Sequence, residues 1–263
     1  MSAEATGGHL LLVHGAFHRG ASWQPLTAEL RRRGYTVDAV DLPGRDDPAV
    51  AATATLADFV ETVVERIHAA RGPVILVGHS MGGLTITQAA EIVPDLVGCL
   101  VYLAAFVPAD GQSLIDIGGH QDFADSLVIT SQRFDEERRV SYVPVELGRE
   151  TFYTDVPETD YGRFGALLVP ESPLVTAEPV ALTDERWGQV RKVYVETAQD
   201  LALPIACQRR MHQAARVDAV HTLDTAHSPF VTAVPALAAI LGGEADRLAL
   251  GSGGAGKTAA ARP

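Results

Sequence analysis

The chain has 263 residues, 47% of them hydrophobic, and a formal net charge of −12. That length suffices for one large α/β domain or two small ones, with a core that needs neither metal nor disulfide. The acidic balance disfavours nucleic acid and anionic membrane surfaces as partners, because both would be repelled.

Two cysteines, Cys99 and Cys207, lie in or beside apolar segments without zinc-like spacing and read as reduced, buried thiols. Met1 to Gly8 carries Glu4 and lacks the basic and apolar regions of a secretory signal. The longest uncharged apolar stretch, Leu96 to Val107, is too short to span a bilayer. A cytoplasmic protein is expected. Lysine occurs only at Lys192 and Lys257 beside abundant arginine and alanine, a bias that fits a bacterial gene. Nothing sets the oligomeric state, and a homodimer stays open.

In chain order, apolar runs predict strands at about 9–14, 35–41, 74–79, 98–105, 191–197 and 218–224, alternating with helical patterns at about 22–33, 55–70, 82–93, 204–215 and 231–241. That alternation implies an α/β fold, a mostly parallel, doubly wound sheet with helices on both faces. Phe59, Val60, Val63, Val64 and Ile67 share one face of the second helix, which should pack on the sheet. The rhythm breaks between 108 and 184, where proline, glycine and charge increase. An inserted cap over the carboxyl ends of the strands follows, with the core at 1–107 and 185–245. Asp135-Glu136-Glu137-Arg138-Arg139 within the cap reads as a solvated helical face, and 246–263 as a disordered tail.

Val77-Gly78-His79-Ser80-Met81-Gly82-Gly83 follows an apolar strand and opens a helix, the context of a nucleophile elbow. Gly78 and Gly82 give the strained turn its room. The bland alternative is a glycine-rich turn that only packs strand against helix. A serine hydroxyl needs a histidine base, itself oriented by a carboxylate. Of the histidines after Ser80, His120 falls in the cap, His212 in a helix and His221 in the last strand. His227 alone lies in a loop beyond that strand. Asp200, just past the strand at 191–197, is the favoured acid, with Asp224 and Asp110 as rivals. The oxyanion hole should combine the N–H of Met81 with that of Ala16, in the loop after the first strand. Phe17 and His18 in the same loop are candidates to touch substrate. His14 and His79 read as structural, and Trp23 and Trp187 as core.

The sequence resembles the α/β-hydrolases related to plant methylesterases, the salicylate-binding esterase and hydroxynitrile lyases, together with bacterial esterases of pyrethroid-hydrolase type. The likeness rests on Leu12-Val13-His14-Gly15-Ala16, Val40-Asp41-Leu42, Val77 to Gly83, Tyr102 to Pro108, Thr183-Asp184-Glu185-Arg186, Gln199-Asp200, Gln208-Arg209-Arg210-Met211 and Ala226-His227-Ser228-Pro229-Phe230. It implies an α/β-hydrolase fold with nucleophile Ser80, acid Asp200 and base His227. The plant lyases carry threonine, glutamate and lysine where this chain has Gly15, His79 and Ser228, so the resemblance implies esterase chemistry rather than cyanohydrin cleavage.

The expected protein is a serine esterase acting on a small or medium ester through an acyl-enzyme, with no cofactor and no metal. Two other readings stand beside it. One keeps the triad for a lyase, elimination or cyclisation step, and the other is a non-catalytic small-molecule receptor.

Overall fold

The computed structural model describes residues 8–255. Its strands are β1 (His9–Val13), β2 (Thr36–Val40), β3 (Val74–His79), β4 (Val97–Leu103), β5 (Arg133–Asp135), β6 (Val140–Tyr142), β7 (Lys192–Thr197) and β8 (Ala219–Leu223). Six of them form one parallel sheet in the order β2-β1-β3-β4-β7-β8, while β5 and β6 make a separate antiparallel pair.

Strand alternation divides the core between the two faces of the sheet. Leu11, Val13, Leu76, Leu100 and Tyr102 point to one face, with Phe59, Val63 and Ile86 from helices Leu56–Ala69 and Gly82–Ile92 and Met211 from helix Ile205–Ala214. Leu10, Leu12, Ile75, Val77, Val101 and Val195 point to the other, against Leu26 and Leu30 of helix Gln24–Arg32 and Leu237 and Leu241 of helix Val234–Ala255. Burial of each such side chain contributes about 1.5–3 kcal/mol. Helix Leu56–Ala69 starts sharply because Thr55 and Asp58 form a reciprocal capping box.

The chain runs from β1 outward to β2, then returns to place β3 on the opposite side of β1. Loops leaving β1 and β3 therefore diverge at their carboxyl ends, and this switch point is where open α/β sheets hold ligands. Between β4 and β7 the chain leaves the sheet for a run of short helices and the β5–β6 hairpin. One group of cap side chains, including Val143, Phe152, Tyr153, Val156, Tyr161 and Phe164, packs as its own apolar cluster, into which Phe17 inserts from the core.

Two expectations are corrected. Asp135 ends β5 and residues 136–139 are the turn of the β5–β6 hairpin, not a helical face: Asp135 Oδ1 accepts the N–H groups of Glu137 and Arg138, and Arg139 has a left-handed φ of 56°. The final helix continues to Ala255, past residue 246, where a disordered tail was expected. Leu248 packs on the core beside Gly98, where an added Cβ would come within 2.4 Å of its side chain. The rest of the expected tail lies outside the described residues.

Candidate active site

Ser80 stands between β3 and helix Gly82–Ile92 with φ of 53°, a left-handed conformation disfavoured for a residue with a Cβ. Hydrogen bonds hold it there: its N–H donates to Leu103 O at 3.3 Å, and its carbonyl accepts from Gly83 and Phe106 N–H at 3.0 Å each. The following helix lies so close to β1 that a Cβ on Gly82 would sit 2.7 Å from His14 O. Glycine there is a packing requirement.

Asp200 and His227 meet across the loops after β7 and β8. His227 Nδ1 donates to Asp200 Oδ2 at 2.7 Å, and both side chains are buried. Asp200 is itself fixed: Oδ1 accepts the N–H groups of Ala202 and Leu203 at 2.8 Å each, and Oδ2 accepts Thr197 Oγ1 at 2.8 Å and Gln208 Nε2 at 3.2 Å. Gln208, fully buried, also bonds the carbonyls of Thr197 and Leu203, which orients its amide. Of the rival acids, Asp224 accepts from Gln199 Nε2 and Asp110 from Leu182 N–H. Neither bonds His227.

The elbow and the His227 loop are joined by His79, whose Nε2 donates to His227 O at 2.9 Å, with ring centroids 4.4 Å apart. Burial, then the neighbouring His227, holds the His79 imidazole well below its usual pKa. It stays neutral and acts as a brace.

A cavity of about 460 Å³ opens over Ser80. Ala16 and Met81 both line it, and among the described residues neither backbone N–H donates to a protein acceptor. Phe17, Phe106, Phe123 and Phe152 supply aromatic wall, and Gln132, Arg133 and Glu171 supply polar edge. From the cap, Phe123 and Phe152 reach the cavity, whereas Tyr153 and Phe164 stack in the cap core. His18 is a correction: it does not line the cavity. Phe17 takes φ of 63°, and both rings pack against Phe152, but only Phe17 also borders the cavity. His18 is buried edge-on against Phe152 and His79, its Nδ1 donates to Ala16 O at 2.7 Å, and burial lowers its pKa to about 4. A wider groove of about 800 Å³ beside Lys192 and Arg210 contains none of these residues.

Sequence reasoning missed the buried Arg45–Glu171 pair, which spans 126 positions and forms part of the cavity wall through Glu171. Asp47-Pro48 and Glu171-Ser172-Pro173 carry turn signals nearby, but no sequence signal couples the two charges.

An α/β sheet with a serine elbow and two unengaged N–H groups at one cavity, and an aspartate–histidine pair in the loop braced against that elbow, defines a hydrolase-type site. The chain belongs to the alpha/beta hydrolase family, whose model matches residues 10–240. It is 29% identical over 247 residues to a pyrethroid hydrolase of Sphingobium wenxiniae, covering 90% of this chain and 87% of that protein. It is 31% identical over 217 residues to salicylic acid-binding protein 2 of Nicotiana tabacum, covering 77% and 83%. The crystal structure of a pyrethroid hydrolase from Sphingobium faniae superposes with a TM-score of 0.82 at 27% identity, over 91% of this chain and 97% of that one. Chloroplastic methylesterase relatives of Arabidopsis thaliana are longer, and the chain spans 63% of the length of one of them.

Proposed function

We propose that the protein is a serine esterase using Ser80, His227 and Asp200. The observation that carries this reading is the 2.7 Å Asp200–His227 bond in the loop braced against the Ser80 elbow. Nδ1 of His227 donates to the carboxylate, so Nε2 is the nitrogen left to act as base. In the reaction Ser80 Oγ attacks the ester carbonyl while His227 takes its proton. The tetrahedral oxyanion lies against the Ala16 and Met81 N–H groups, and Asp200 balances the imidazolium. His227 then returns the proton to the departing alcohol, and water repeats the sequence on the acyl-enzyme. No step calls on a metal or cofactor.

The cavity is sized for a small or medium ester, and its phenylalanine walls favour an apolar acyl or alcohol part. The names of the relatives, methylesterases and pyrethroid hydrolases, point the same way. Gly15 argues against the plant type of lyase: a Cβ there would lie 2.6 Å from Ser80 Cβ, so a threonine would displace the nucleophile.

The test is hydrolysis of p-nitrophenyl and methyl esters by Ser80→Ala. Activity should fall by several orders of magnitude in a folded protein. Near-native turnover would sink the mechanism, and loss of ester without uptake of solvent oxygen into the product would favour elimination.

A further inference from the structure

We infer that the buried Arg45–Glu171 pair is a strut through which the cap sets the oxyanion loop, making both residues positioning residues for the Ala16 N–H. The inference rests on the esterase reading above.

Arg45 comes from the loop after β2 and Glu171 from the cap, and both side chains are 2% exposed. Arg45 Nη2 donates to Glu171 Oε2 at 2.7 Å and Nη1 to Pro170 O at 3.3 Å. On its other side Nε donates to His14 Nε2 at 3.3 Å, and that nitrogen also accepts the Leu42 N–H at 3.2 Å. With Nε2 accepting, His14 carries its proton on Nδ1, which donates to Gly15 O at 2.9 Å. Burial first and Arg45 second hold His14 well below the usual imidazole pKa, in keeping with this neutral form. The guanidinium thus reaches the peptide that leads into Ala16.

The carboxylate end reaches the peptide that leaves it. Glu171 accepts the Ser172 N–H at 3.0 Å, and the Phe17 N–H is turned toward the same carboxylate. Two residues before Glu171, Val169 N–H donates to Phe17 O at 2.9 Å. Phe17 has the left-handed φ of 63°, which an aromatic residue keeps only when its surroundings impose it. Ala16 is therefore bracketed, by the His14–Arg45 side before it and the cap segment 169–171 after it. A buried ion pair is weak evidence for stability, because desolvation of both charges offsets their attraction. Its contacts with both ends of one loop give it a positioning role instead.

The test uses the full chain and separates stability from positioning. In the double variant Arg45→Met with Glu171→Leu both charges go, so folding should be preserved while the strut is lost. Against a short p-nitrophenyl ester, kcat should fall about 10- to 100-fold, below the loss from deleting a whole oxyanion donor. KM should hold within about twofold, and affinity for an aryl trifluoromethyl ketone, which forms the tetrahedral adduct, should fall with kcat. Glu171→Gln, which keeps the shape, should show the same pattern more weakly and serves if the double variant does not fold. Wild-type kcat in either folded variant overturns the strut. Ser80→Ala runs alongside: if it kills turnover while the strut variants match wild type, the strut alone is wrong. If it leaves turnover intact, the esterase reading fails and takes the strut with it.

Discussion

The sheet core and the cap solve different problems with different kinds of sequence. The core repeats one rule, alternating apolar strands closed by helices, and every candidate catalytic group leaves it at a strand's carboxyl end: Ala16 after β1, Ser80 after β3, Asp200 after β7 and His227 after β8. The cap has no long element; it gathers short helices around its own apolar cluster and lends Phe123, Phe152 and Glu171 to the cavity wall. On the proposed function, rigid parallel strands place the reacting atoms, and a loosely patterned segment shapes what reaches them. The division is not complete, because cap residue Asp155 accepts the Ala226 N–H at 3.0 Å and Thr232 Oγ1 at 2.8 Å, on either side of His227.

The largest expected effect lies in the core. Asp200→Asn should lower kcat by about four orders of magnitude through loss of the correct imidazole orientation and tautomer. Asp224→Asn, on an exposed side chain bonded to Gln199, should change it little. Steady-state kinetics on the two purified variants decides, and the reverse order of damage would move the acid to Asp224.

Acid sensitivity should also belong to the core. His14, His18 and His79 are buried there with lowered pKa values, whereas the cap's histidine, His120, is exposed. Below the ordinary value of 6.5 the unfolded chain binds protons that these folded imidazoles refuse. Stability therefore falls as pH drops from 6.5 toward about 4, where His18 itself titrates in the fold. Each such group contributes a slope that approaches about 1.4 kcal/mol per pH unit. Urea melts across that range check the sign, and flat stability would contradict the neutral assignments.

Substitutions in the cap's aromatic wall should act on choice instead of chemistry. Phe123→Ala or Phe152→Ala should change relative kcat/KM among esters of different size by roughly tenfold, with labelling of Ser80 by a small fluorophosphonate nearly unchanged. An unaltered ranking would place selection in the core loops. Smallest of all, Asp155→Asn should lower kcat a few-fold by loosening the His227 loop; an effect on KM alone would make Asp155 a cap residue only.

The same contrast governs what could be read from sequence. All six sheet strands were legible because alternation and β-branched runs are local, and the elbow glycines mark a backbone that other residues cannot follow. Ser80, Asp200 and His227 could be chosen because strand ends and chain order restrict the candidates. The cap was legible only as a break in rhythm. Its charged run became a hairpin turn through Asp135 capping, and His18 is buried among Phe152, Tyr153 and His79, contacts that come from distant segments. The Arg45–Glu171 pair joins two loops 126 residues apart, and no local pattern encodes such a contact.

The central claim, that the core presents one activated serine, is tested most directly by treating the protein with a small fluorophosphonate and mapping the adduct by peptide mass spectrometry. The account predicts a single stoichiometric adduct on Ser80, absent in Ser80→Ala and strongly slowed in His227→Ala. An active esterase that remains unlabelled at Ser80, or labels at another residue, would contradict it.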